Sequence, residues 1–454
     1  MESATDNRNA LTPKVVEWVE RHIGKVIAID TQPRWRPMWF VQARREDGQE
    51  VGLCVRGSRV DSLLVFPLEH EMRVQKFMHE QGIAVPKVYG WIDDVGAYVM
   101  EIVPGSPTFM GMPAEQRDPI MRRYMQELAR LHKIDPALAE AAGITGGKTP
   151  AEATTVGIAA FEHVYRVQKK RPDPFMEFML GWLARNPPHA HNRRSLVVWD
   201  SGQLHHRDGE FRAIIDVELG HIGDPMMDLA AFRMRNTVLN LGDCDTLYKW
   251  YEEAAGEPVD MAAIQFHHIF FTLTNALSFH MALAEPAPES DYMTNTQWIN
   301  ETNLFALEAL AEVFQVALPP VDLPAAEVTP SAIPFAHLVR TLRTLEGEAD
   351  SDYMKYKVRT LFRLARHLAR MDEIGRQIVE ANLDDIGQLT GQRPATWQDG
   401  DAALEAFVLQ DQGAHDLALL MLFNKRLNRA LAMNGPAGSA MTHHHRIQPF
   451  GGKM

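Results

Sequence analysis

Apolar positions near the N-terminus recur at helical spacing. Val15, Val16, Trp18, Val19 and Ile23 predict a short amphipathic helix over 13–24. Short alternating runs follow and predict strands at 25–29, 38–43 and 51–55. The last two join across Asp47-Gly48, a dipeptide suited to the positive φ angles of a tight hairpin. A helix over 69–80 stops at Gly82, and strands at 87–92 and 97–101 precede the break at Ile102-Val103-Pro104-Gly105. Five short strands with one helix make a compact α+β lobe.

Beyond Pro113 the pattern becomes mainly helical, over 114–133 and 151–185, the latter as one or two helices. Residues 195–235 interrupt it. An apolar strand ends in Trp199-Asp200, a polar loop follows, and a hairpin turns at Asp208-Gly209 into a strand over 211–215 that delivers Asp216. Asp224-Pro225 reads as an N-cap with proline at the first helical position, so a helix should run from there through Arg235. Further helices are expected over 243–255, 260–284 and 294–316. A Pro- and Ala-rich linker spans 316–334, and helical periodicity fills 335–432. Residues 434–454 read as a mobile tail in which His443, His444 and His445 are inert. The expected organisation is an N-terminal α+β lobe (1–103), a mainly helical lobe (104–325) and a helical C-terminal extension with a mobile tail (326–454).

A chain of 454 residues is too long for one ordinary core. With 46% hydrophobic and 23% charged residues its composition is that of a soluble globular protein. The net charge of -13 argues against nucleic acid or an anionic membrane as partner, and Lys169-Lys170-Arg171 reads as a solvated helix end. Cys54 and Cys244 cannot form a disulfide framework, and both sit among apolar residues. The first residues are polar without an apolar signal core, and no run of about 18 apolar residues occurs, so a cytoplasmic location is expected.

The chemistry concentrates in 195–235. Two carboxylates, Asp200 and Asp216, each follow a buried strand and can point into one cleft. That suits phosphoryl transfer, in which one acid orients the attacking hydroxyl and the other holds magnesium on the phosphates. Asp216 ends the run AIID, where a buried acid needs a purpose. Glu218 is a further metal-binding or structural acid. His205 and His206 are adjacent, so on a regular strand only one faces the cleft.

The motifs HEMRVQKFM, VPKVYGW, YVMEIVPG, LARLHKIDP and IIDVELGHIGDPMMDLA, in this order, resemble the aminoglycoside phosphotransferase-like family over residues 20–320. These are small-molecule kinases of protein-kinase-like fold, and the closer likeness is to the branch found beside or fused to acyl-CoA dehydrogenases. The resemblance implies an α+β, two-lobed kinase-like fold with an appended helical C-terminal domain. It makes Asp200 the catalytic acid and Asp216 the magnesium ligand. Arg56 would face the α- and β-phosphates, with Glu71 as its helical partner. Met100, Glu101 and Ile102 would form the adenine-binding hinge. Asp224 would cap its helix, and Asp228 would brace the catalytic loop.

Three positions depart from the family pattern. His-Gly-Asp is replaced by Val198-Trp199-Asp200, and His205 stands where an Asn is usual, with Gln203 as the alternative magnesium ligand supplying the oxygen this hard ion prefers. The phosphate-covering turn, residues 31–37, has no glycine, so Arg34 and Arg36 would replace backbone donors. Arg rather than Lys stands at 56. The implied reaction is transfer of a phosphoryl group from ATP (or GTP), with Mg2+, to a small-molecule hydroxyl. By resemblance the acceptors include antibiotics and hydroxyacyl-CoA compounds, and the dehydrogenase-associated motifs favour a hydroxylated acyl or other catabolic intermediate. The alternative is a kinase-like fold that has lost transfer and acts as a nucleotide-binding or assembly module. A protein kinase fits less well, because no activation segment follows Asp216. Residues 335–432 offer a homodimerisation surface or a lid.

Overall fold

The computed structural model describes residues 4–31, 36–58, 65–188, 193–287, 290–434 and 444–450. Arg34 and His443, singled out above, lie outside them. The chain divides into two compact units, 1–160 with 188–267 and 161–187 with 268–454.

In the first unit α1 (Ala4–His22) begins nine residues before the helix that periodicity marks. Strands β1 (Lys25–Thr31), β2 (Met38–Arg44) and β3 (Glu50–Gly57) follow, then α2 (Leu68–Glu80), β4 (Val88–Ile92) and β5 (Ala97–Glu101). The five strands form one antiparallel sheet in the order β1-β2-β3-β5-β4. Alternation sorts its two faces. Trp39, Val41, Ala43, Leu53, Val55, Ala97 and Val99 pack with Val15 and Val19 of α1. Gly90 is required there, since a Cβ would come within 2.7 Å of the Trp18 ring. Arg56 and its cross-strand partner Tyr98 therefore point to the opposite face, which α2 covers.

Helices α3 (Ala114–His132), α4 (Pro136–Ala141) and α5 (Pro150–Gln168) come next; α4 is too short to leave a periodic signal. The expected 151–185 helix is two, because α6 (Pro174–Arg185) restarts on an Asp173 cap with proline in its first turn. Strands β6 (Ser195–Val197), β7 (Leu204–Arg207), β8 (Glu210–Ile214) and β9 (His221–Gly223) make two separate two-stranded sheets, β6-β9 and β7-β8. Then come α7 (Met226–Leu239), α8 (Cys244–Ala255) and α9 (Met261–Ala284). Asp224 accepts the Met226 amide at 2.9 Å, so it caps α7 as expected, although the helix starts one residue later than the proline predicts.

The second unit is helical among its described residues. Its α10 (Tyr292–Phe314) packs with α14 (Asp416–Met433), and α6 stacks Phe178 on Phe423. Between α10 and α11 (Ala332–Glu348) the Pro-rich stretch is extended, as expected of a linker. It is not loose, since Gln377 donates to Ala325 O and Arg376 pairs with Glu327. Next come α12 (Asp352–Thr390) and α13 (Trp397–Gln410). The expected mobile tail is tied down at 444–450, where His444 bonds Glu308 at 2.7 Å and Glu301 at 3.3 Å. No helix among the described residues is long and apolar enough to cross a membrane.

Candidate active site

Besides Asp208 in the β7–β8 turn, two non-glycine residues beside the β6–β9 and β7–β8 sheets hold left-handed backbone, Trp199 (φ 63) and Asp216 (φ 62). Such conformations cost roughly 1–3 kcal/mol each and persist only where surroundings over-determine them. For Trp199 those surroundings are clear. The buried Asp228 carboxylate accepts the Val198 amide at 3.0 Å and the Trp199 amide at 2.5 Å, and His132 Nε2 lies 2.9 Å from it. Ser201 donates to the Asp228 carbonyl, and the Gly202 amide donates to Tyr124 at 2.6 Å. Asp228 thus braces the loop as expected.

The loop presents Asp200, and the amide of Ile215, one residue before Asp216, donates to Gln203 O at 3.1 Å. This bond brings the two acids into one neighbourhood. Arg235 of α7 grips Asp200 with both prongs, Nε to Oδ1 at 2.8 Å and Nη2 to Oδ2 at 2.5 Å. Gln203 Nε2 adds a 2.8 Å bond to Oδ2. Burial still prevails over Arg235 and leaves the Asp200 carboxyl above its ordinary range.

Asp216 belongs to a second network. Arg56 donates Nη2 to Asp216 Oδ1 at 2.6 Å and to Glu218 Oε2 at 3.1 Å, while its Nε lies 2.8 Å from Glu71 Oε1. Arg36 bridges Glu218 at 2.5 Å and Glu71 at 3.4 Å. Tyr98 completes the set with a 2.8 Å bond to Glu71. Burial alone would raise the Asp216 carboxyl, but Arg56 and then Arg36 outweigh it and hold it below its usual value. Glu218 goes the other way, raised by burial and by the negative charge of Asp216. Arg56 sits well above its ordinary value, because Asp216 and Glu71 overcome its burial.

Of the expected site residues, Asp200, Asp216, Arg56, Glu71 and Gln203 are brought together, and Glu218 joins them. Arg36 departs from its expected place in a phosphate-covering turn, for its buried side chain is spent on Glu71 and Glu218. His205 bonds Val103 O at 2.9 Å and His206 bonds Thr108 O at 2.8 Å. Both rings therefore reach one segment, contrary to the one-sided expectation, because a register irregularity falls between them. Gly105 allows this approach, since a Cβ there would lie 2.8 Å from His206 O. At the hinge, Cys54 pairs with Met100 across β3 and β5. The Glu101 amide donates to Lys87 O and the Ile102 amide to Gly52 O, so those two donors are already used within the lobe.

Sequence reasoning missed Arg235 and Tyr98. A signal existed for the first: two arginines in the apolar run MMDLAAFRMRNTVL, where a buried cation needs an acid. The fit to magnesium is reasonable. Arg56 uses only Oδ1 of Asp216, and Gln203 keeps its amide oxygen, so both can offer oxygen to a hard cation. Among the described residues no cluster of three or more His, Cys, Asp or Glu is placed to hold a metal ion by itself.

Residues 66–267 match the model of the phosphotransferase enzyme family. Human acyl-CoA dehydrogenase family member 11 is 28% identical over 182 residues, which cover 37% of this chain and 23% of that protein. The matched segment thus spans under a quarter of the curated relatives. Among solved structures, a macrolide 2'-phosphotransferase from Brachybacterium faecium covers 59% of this chain and 90% of its own at 17% identity, TM-score 0.42. An aminoglycoside phosphotransferase in complex with ADP and hygromycin B covers 65% and 98% at 13% identity, TM-score 0.47. Over residues 66–267 this chain is thus similar to the phosphotransferase enzyme family.

Proposed function

We propose that the chain is a small-molecule kinase that transfers the γ-phosphoryl group of ATP or GTP to an alcohol. The observation that carries the reading is the grouping of Asp200 and Asp216 with Arg56, itself held by Glu71. Asp200 orients the acceptor hydroxyl and takes its proton as the new O–P bond forms and the bond to the departing diphosphate breaks. Its raised affinity for protons suits it to that task. Asp216, with the amide oxygen of Gln203 beside it, would hold magnesium, which when bound neutralises phosphate charge. Arg56, steadied by Glu71, would neutralise phosphate charge. Catalysis is then chiefly positioning and electrostatic stabilisation.

The likeness to acyl-CoA dehydrogenase family members supports a hydroxylated acyl compound as the acceptor class. Arg235 supports the same choice, since a cation beside Asp200 can meet an anionic acceptor. The test is nucleotide binding with and without magnesium, followed by ATP turnover with hydroxyacyl-CoA acceptors in the wild type and Asp216→Ala. Binding that ignores magnesium and turnover equal in both proteins would sink the kinase reading.

One observation favours a second reading. Both Asp200 oxygens are occupied, by Arg235 and Gln203. Magnesium-dependent nucleotide binding without transfer to any alcohol, even in Arg235→Ala, would identify a nucleotide-binding module instead.

A further inference from the structure

Helix α11 has 17 residues and not one buried side chain. An amphipathic helix draws most of its stability from a covered apolar face, and the main packing partner of α11 among the described elements is α12, to which residues 349–351 join it. The half-buried row on α11 includes Val339, Leu342 and Glu346. On α12 the facing residues include Arg359, which bonds Glu346 at 2.8 Å, and Phe362, over which Arg343 lies. A different row of α12 grips the rest of the unit: His367 bonds Met433 O at 2.7 Å, and Arg363 reaches Thr294 of α10 at 2.8 Å.

The remaining flank is apolar and open. Met354, Leu361, Leu368 and Met371 of α12 are 49, 52, 42 and 41% exposed, and Leu338 and Leu345 of α11 are 43 and 45% exposed. At 100° per residue the α12 stripe lies about a third of a turn from the His367 row, and antiparallel packing puts the α11 pair on the same side. Steps of seven and three residues are those of a helix-bundle seam. Of the positions that fill in the α12 row, 357 and 364, only Lys357 is charged.

We propose that this flank binds the same flank of a second copy, two α11–α12 hairpins closing into an antiparallel four-helix bundle about a two-fold axis. The six side chains expose on the order of 500 Å2 of apolar surface, at the upper end for a monomer patch. Homodimer interfaces are about 65% apolar, so this patch corresponds to about 800 Å2 per partner, the size of a standard stable interface. A second copy supplies the two matching helices that the seam lacks, and an isologous contact closes on itself.

The experiment is light scattering coupled to size exclusion on the full chain at micromolar concentration. The wild type should weigh about twice its 51.2 kDa. Leu361→Glu with Leu368→Glu should weigh one chain with unchanged far-ultraviolet dichroism, and the milder Leu338→Ser should weaken association roughly tenfold. A wild-type monomer, or a dimer indifferent to both variants, overturns the proposal. So does a monomer that sediments with anionic phospholipid vesicles, which would assign the flank to a membrane.

Discussion

Arg235 holds both carboxylate oxygens of Asp200, and the pair spans α7 and the loop after β6. The guanidinium is 30% exposed and the acid 10%, so the pair is half-wet on the cation's side alone. An acceptor that attracts the cation would release the acid. Arg235→Ala should therefore leave nucleotide affinity unchanged and alter the pH dependence of turnover. Arg235 opposes the burial that raises the Asp200 carboxyl, so its removal moves that carboxyl higher still. The acid limb of kcat/KM should shift to higher pH, and Arg235→Lys should restore part of it.

Asp200→Asn and Asp216→Ala separate the two acids. The first should keep magnesium-dependent nucleotide binding and lose turnover by roughly 10^2–10^4-fold, the range of general acid–base catalysis. The second should lose the magnesium dependence of binding itself. Calorimetric titration of nucleotide with and without magnesium reads the difference.

Glu71 is the hub of the other network, with Arg36, Arg56 and Tyr98 all on it. Its side chain is 4% exposed. Glu71→Ala would leave two buried cations under-compensated, and breaking a buried pair costs about 3–5 kcal/mol. Tyr98→Phe removes one hydroxyl and should cost about 1–2 kcal/mol. Urea unfolding of the two variants should rank them in that order.

The C-terminal strap titrates. Burial lowers His444, but bonds to Glu301 and Glu308 raise it to about 9. A folded value above the unfolded 6.5 gives stability that is complete below pH 6.5 and lost as pH rises through about 9. His445 and the amide of Ile447 meet the same two carboxylates. Hydrogen exchange at 444–450 should be slow at pH 6 and fast above pH 9, after correction for intrinsic rates.

What could be read from residue order was local. Asp47-Gly48 and Asp208-Gly209 do turn hairpins, because turn chemistry is carried by the two residues themselves. The β6–β9 pairing was invisible, since three-residue strands from distant segments leave no period. The acids were legible because carboxylates at strand ends are unusual. Their cations were less so: Arg36 and Arg56 come from one lobe of the unit and Arg235 from a helix beyond both hairpins. Only folding reveals which acid each one neutralises.

The left-handed backbone at Asp216 has an evolutionary corollary. Glycine adopts φ near 62 without strain, so Asp216→Gly would relax the turn that Asp216→Ala leaves strained. Retaining an acid there means accepting a local torsional burden, and drift toward stability would erase it. The position is therefore one where fitness of the fold and fitness of the chemistry pull in opposite directions.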